Sequence, residues 1–225
     1  MSRDVLVDRE RELAELQRLP ASGRKQLAIL YGRRQIGKTH LLSHAWAARG
    51  SEDVADGGDQ GNQVARGTRV FYFLAAALTP DLNRQDLIRE LAAWSGRQLE
   101  PADYPTWRTL FRELLSLAEE GPVVVVLDEF QYLLTSSSAS SLPAAPGGSS
   151  AAGPTGGDEV TSQLVAVWDR APQTLPLTLV LSGSEVSTMA HLHAGGEPLY
   201  GRVTWAAQLH AFDYFDAVQI GRAHV

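Results

Sequence analysis

Apolar and polar positions change rhythm several times along the chain, and each change marks an element. Leu13, Leu16 and Leu19 recur at helical spacing in a charged segment, which predicts a short amphipathic helix over Arg9 to Leu19. Gln26-Leu-Ala-Ile-Leu-Tyr31 reads as a buried strand, and Leu41, Leu42, Ala45 and Trp46 then share one helical face. Val70-Phe-Tyr-Phe-Leu74 predicts a second strand. Thr79-Pro80-Asp81 is a helix start, with a capping hydroxyl and proline at the first helical position, and Leu87, Ile88, Leu91 and Ala92 mark its inner face. Trp107, Leu110, Phe111, Leu114, Leu115 and Ala118 keep helical register until Gly121-Pro122 stops them. Val123-Val-Val-Val-Leu127 is continuous and β-branched, the pattern of a strand covered on both faces of a parallel sheet. Val160, Leu164, Val165 and Trp168 give another helical face, Leu177 to Leu181 another strand, and Ser184 to His193 a last helix. Strands alternating with helices predict a three-layer α/β/α fold with a mostly parallel sheet.

Two stretches break the rhythm. Ser51 to Thr68 is polar and glycine-rich and reads as a loop. Thr135 to Asp158 is Ser, Ala, Gly and Pro almost throughout, a low-complexity insert that interrupts one domain without separating two. The chain of 225 residues is long enough for one such domain and its core. Its net charge of −6 argues against a general basic surface for nucleic acid. With no cysteine, disulfides and thiolate metal sites are excluded. No membrane-length apolar run and no signal peptide are visible, so the expectation is a cytoplasmic protein with no membrane association.

The chemistry concentrates where the first strand meets its helix. Gly32-Arg-Arg-Gln-Ile-Gly37-Lys38-Thr39 fits the spacing of a phosphate loop. A polyphosphate needs several donors converging on it, and backbone amides in a tight loop at a helix N-terminus supply them. The expected cradle is Gly32, Gln35, Ile36, Gly37, Lys38, Thr39 and His40. Lys38 is expected on the β- and γ-phosphates and Thr39 on Mg²⁺. The strand over Val123 to Leu127 ends in Asp128-Glu129, expected to hold the metal and to accept a proton from an attacking water, respectively. Leu181-Ser-Gly-Ser-Glu185 ends another apolar strand. Either Ser182 or Ser184 can sense the γ-phosphate there, and Ser184 can equally cap a helix. Arg202, in a loop after Pro198-Leu-Tyr200, reads as a surface salt bridge or as a cation for the transition state, in cis or at a neighbour's site. Arg33 and Arg34 can point to solvent or to a partner. The six histidines form no metal set. With no guanine-reading motif, the expected ligands are ATP and nucleotide-borne Mg²⁺.

These motifs, in this order, resemble the prokaryotic "archaeal ATPase" family of AAA-like P-loop ATPases in the STAND class. The resemblance is carried by Val7-Asp-Arg-Glu-Arg-Glu-Leu13, Gly32 to Thr39 with Leu41-Leu42, Leu127-Asp-Glu-Phe-Gln-Tyr-Leu133, Leu181-Ser-Gly-Ser184 and Pro198-Leu-Tyr-Gly-Arg202. It implies a P-loop NTPase fold with the Leu177–Leu181 strand between the phosphate-loop and acidic strands. It implies an ATP-hydrolysing switch that is slow without a protein partner or a homo-oligomer, with Lys38, Glu129, Ser184 and Arg202 in the reaction and Thr39 and Asp128 at the metal. The alternatives are an ATP-dependent binding or scaffold module without hydrolysis and, with less behind it, a phosphotransferase. By the same resemblance residues 1–218 are an ATPase core whose relatives continue into winged-helix and nuclease-like regions, and DNA contact is expected only through such a region. Gln219-Ile-Gly-Arg-Ala-His-Val225 reads as a non-native tail resembling a translated sequencing adapter.

Overall fold

In the computed structural model, residues 9–46, 67–134 and 156–211 are described. The start of the first family motif at Val7, most of the expected 51–68 loop, the insert up to residue 155, the expected domain end at 218 and the tail over 219–225 lie outside the described residues.

Five strands, β1 (Gln26–Tyr31), β2 (Arg69–Leu74), β3 (Val123–Asp128), β4 (Leu177–Gly183) and β5 (Trp205–Gln208), form one sheet in the order β2-β3-β4-β1-β5. Every pairing is parallel. Parallel neighbours need crossover connections, and the helices supply them. α1 (Glu10–Ala21) precedes β1, and the helices between strands are α2 (Lys38–Trp46), α3 (Pro80–Ser95), α4 (Trp107–Ser116), α5 (Gln131–Leu134), α6 (Gly156–Trp168) and α7 (Val186–His191). The expected position of β4, between the phosphate-loop strand and the acidic strand, is what the sheet order shows.

Alternation along each strand divides the core. Leu27, Ile29, Val123, Val125, Leu127, Leu177, Leu179 and Leu181 face one way, onto α3 to α7. Ala28, Leu30, Val124, Val126 and Val180 face the other, onto Leu16 of α1 and Leu41, Leu42, Ala45 and Trp46 of α2. Covering both faces leaves no room for polar alternation, which is why β1, β3 and β4 read as apolar runs.

Local signals held at α3: the Thr79 hydroxyl accepts from the Leu82 amide at 3.3 Å, with Pro80 at the first helical position. Three boundaries moved. The first helix runs on through Pro20 to Ala21, where the last turn buries that proline. The helix α6 starts at Gly156, inside the expected insert. The last helix is shorter than expected, Val186–His191, behind Glu185 as its N-terminal flanking residue. The edge strand β5 has no sequence signature: Trp-Ala-Ala-Gln is half-exposed and lacks a β-branched run. It forms because Thr204 and Leu209 bracket it, their amides donating to the carbonyls of Leu27 (2.8 Å) and Tyr31 (2.7 Å).

Candidate functional site

All strands being parallel, their C-terminal ends lie on one side of the sheet, the side where open α/β sheets bind ligands. The phosphate-loop residues leave β1 there. Gly32 keeps contact with the sheet, its amide donating to the Gly183 carbonyl at 3.2 Å. A side chain at Gly32 has no space: a Cβ would stand 2.3 Å from Ile36 Cδ1 and 2.5 Å from the Leu209 carbonyl oxygen. The turn then reverses at Gln35, with φ of 65°, and Gly37, with φ of 90°. Left-handed residues between right-handed ones turn successive amides inward, the geometry of an anion nest. Leu41 makes the first intrahelical bond of α2, to Gly37 at 2.8 Å. The amides of Lys38, Thr39 and His40 occupy the first turn, where a helix offers no acceptor of its own. Replacing Gly32 by Ala is expected to lower stability by about 1–3 kcal/mol through overpacking, read as an earlier midpoint in urea unfolding.

Lys38 is buried, and its ammonium donates to the carbonyls of Gly32 (2.9 Å) and Arg33 (3.2 Å). Burial pushes its pKa down, opposed by the carboxylates of Glu129 and Asp128. Among the described residues the buried cation has only loop carbonyls as hydrogen-bond acceptors, and a phosphate oxygen is a stronger one.

Asp128, at the tip of β3 and 1 % exposed, gathers three donors. The Thr39 hydroxyl donates to Oδ2 at 3.0 Å, the Tyr72 phenol donates to the same oxygen, and the Glu129 amide donates to Oδ1 at 2.9 Å. Burial and the Asp128 contact push the Tyr72 phenol well above its usual range, so it stays a donor. The Thr39 proton is spent on Asp128, and the lone pairs of its oxygen remain for a cation. A nucleotide-borne Mg²⁺ takes one or two protein oxygens, with water and phosphate oxygens completing its shell. The Thr39–Asp128 pair fits that donor set, and the Gly32 cradle fits a phosphate chain.

Glu129 turns out of the strand with φ of 52°, in the left-handed region that side chains rarely adopt. Its Oε2 accepts from the Ser184 hydroxyl at 2.6 Å and from the Gln131 amide nitrogen. The Ser184 hydroxyl is thereby tied to the acid that follows β3. It does not cap α7, since that helix has no side-chain cap bond. Ser182 stands one residue beyond the Leu127–Leu181 pair, on the face shared with Asp128. It is fully buried, and among the described residues its hydroxyl has no partner.

The structure thus brings together Gly32, Gln35, Ile36, Gly37, Lys38, Thr39, His40, Asp128, Glu129 and Ser184. It does not bring Arg202. That side chain makes a two-point ion pair with Asp169 at 2.7 and 2.6 Å, beside Thr204 and the start of β1. The six residues of β1, roughly 17–20 Å at the usual rise of a strand, separate it from its own phosphate loop. The reading of Arg202 as a cation in cis is corrected on that ground. Of the two loop arginines, Arg34 donates to the Tyr132 hydroxyl of α5. Tyr72 and Gln131 were not singled out beforehand. Their contacts depend on sheet register and on the turn after β3, and neither leaves a spacing signal.

A family model described as an ATPase domain predominantly from Archaea matches residues 6–223. No curated protein matches the chain significantly. Among solved structures, a Walker-type ATPase of Pyrococcus abyssi is similar at a TM-score of 0.59 and 23% identity, over 98% of this chain and 58% of that one. The Aeropyrum pernix ORC2 protein, solved in ADPNP–ADP complexes, is similar at 0.62 and 18% identity, over 99% of this chain and 54% of that one. The Drosophila ORC bound to DNA is similar at 0.53 and 14% identity, over 93% and 44%. At these identities the likeness is one of fold. The chain spans little more than half the length of the first two and less than half of the third. Among the described residues no helix is long and apolar enough to cross a membrane.

Proposed function

The chain belongs to the ATPase domain family found predominantly in Archaea, and from that premise we propose that it is a Mg²⁺-dependent ATPase whose hydrolysis acts as a conformational switch of the STAND type. The observation that carries the reading is the meeting of Thr39, Asp128 and Glu129 at the mouth of the Gly32–Thr39 loop. Lys38 and the loop amides bind the phosphates. Thr39 and Asp128 would hold Mg²⁺, which when bound neutralises phosphate charge. Glu129 accepts the proton of a water whose oxygen bonds to the γ-phosphorus as the bond to the β-phosphate oxygen breaks. The products are ADP and phosphate, and Ser184 holds the base as the proton arrives. Turnover by the isolated chain is expected to be slow, because switch ATPases wait for a completing group.

Any part Arg202 takes belongs to the site of a second copy, since β1 separates it from its own. Arg202→Ala is therefore expected to leave ADP affinity within twofold of the parent, checked by calorimetric titration; a larger loss would return the residue to its own site. Phosphate release from Mg-ATP by the purified protein, with Lys38→Ala as control, tests the main proposal. Release that the substitution abolishes supports an ATPase. Release that survives it would come from a contaminant or another site, and would overturn this reading.

A further inference from the structure

We infer that Gln131 is a positioning residue for the base: with Ser184 it clamps one oxygen of Glu129 and leaves the other turned to the attacking water. The inference rests on the ATPase reading above and extends it to a residue that no motif role covers.

Gln131 opens α5 and is 4 % exposed. Its amide nitrogen donates to Glu129 Oε2 and, at 3.2 Å, to Ser184 Oγ. Ser184 Oγ donates in turn to the same Oε2 at 2.6 Å. The three side chains close a triangle on one carboxylate oxygen, and among the described residues no donor reaches Oε1. The site of proton acceptance is thereby chosen by subtraction: Oε2 is occupied twice and Oε1 is left open.

Packing alone does not explain a glutamine here. Its own Oε1 is buried with no partner among the described residues, which costs on the order of 1–3 kcal/mol. A methionine of similar length would fill the volume without that penalty. The surroundings are also shaped to admit the amide. A Cβ on Gly183 would stand 2.5 Å from Gln131 Oε1 and 2.6 Å from Met189, so the bare backbone of β4 is what lets the amide lie across the strand end. Glu129 adds a left-handed backbone to the same cluster. An unpaired buried carbonyl and a strained residue, adjacent and both costly to the fold, mark a place where orientation is kept at the expense of stability.

The test uses Gln131→Met in the same chain, read against the parent and Lys38→Ala. The expected result has three parts. The variant unfolds at an equal or higher urea midpoint. It binds ADP within twofold of the parent. Its single-turnover phosphate release falls about 10–100-fold, the usual effect of losing an outer partner of a reacting group, and its preference for ADP–aluminium fluoride over ADP falls by a similar factor. That last readout reports the water position without turnover, and a purely structural role would leave it unchanged. Gln131→Met combined with Ser184→Ala is expected to lose less than the product of the single losses, because both hold one oxygen. Parent-like release and an unchanged preference for the fluoride complex would overturn the inference. Faster release in Gln131→Met would also overturn it, since the clamp would then be a brake. Failure of the parent itself to bind ADP more tightly than Lys38→Ala would instead sink the ATPase reading.

Discussion

Glu129→Gln is expected to bind ATP at least as tightly as the parent and to hydrolyse it about 10²–10⁴-fold more slowly, the range for loss of a general base. The substitution is nearly isosteric. A glutamine oxygen can still accept from Ser184 and Gln131, so the triangle beside β4 survives. The backbone amide of residue 129 still donates to Asp128 Oδ1, so the acidic tip of β3 keeps its shape. What disappears is the negative charge and with it the ability to take a proton from water. Removing a carboxylate beside the phosphate site also removes a repulsion, which is why affinity for ATP should hold or rise. Equilibrium binding of a fluorescent ATP analogue and single-turnover phosphate release measure the two halves separately. Hydrolysis undiminished in this variant would strip Glu129 of its role and leave the base to be found elsewhere.

Lys38→Ala is expected to act one step earlier, on binding. The buried ammonium already sits at the loop, held by the carbonyls of Gly32 and Arg33. Contacts to the β- and γ-phosphates would replace those weaker acceptors with two charge-assisted hydrogen bonds, each worth about 1.5–3 kcal/mol. Losing both is on the order of 10²–10⁴ in affinity for Mg-ATP. Circular dichroism and the unfolding midpoint would separate this loss from a damaged fold, since Ala still suits the first turn of α2. Calorimetric titration gives the affinity directly. A variant that binds Mg-ATP within a few-fold of the parent would mean that the Gly32–Thr39 loop is not where the nucleotide goes. The two variants are informative together. One should bind without cleaving and the other should fail to bind, and a protein that displays a surface in response to ATP without hydrolysing it would show only the second effect.

Much of this was legible in the chain because the information is local. A strand buried on both faces must be apolar throughout, so β1, β3 and β4 announce themselves. A phosphate loop must place glycine where the backbone turns or packs closely, and lysine and threonine at the helix start, so its spacing is written in eight consecutive residues. The acids at the end of β3 follow from the same rule, since the C-terminal ends of parallel strands face one side. From the sequence alone came the fold class, the cradle, the two acids and a choice between Ser182 and Ser184.

Only the tertiary structure told the surroundings of the two serines apart and added what spacing cannot carry. Ser184 follows the last residue of β4, Gly183, and puts its hydroxyl on Glu129, while Ser182 stays on the Asp128 side. Tyr72 reaches Asp128 because β2 pairs with β3 in a register that no residue pattern states. Gln131 reaches Glu129 because the chain turns through a left-handed residue at the strand end. The edge strand β5 exists because β1 offers it a free edge, and its own residues ask for nothing. Arg202 stands by Asp169, a strand's length from the loop, because the direction of β1 puts the Leu27 end and the Tyr31 end on opposite sides of the sheet. Local chemistry is a matter of neighbours along the chain, and strand order, register and direction are set by which surfaces bury one another.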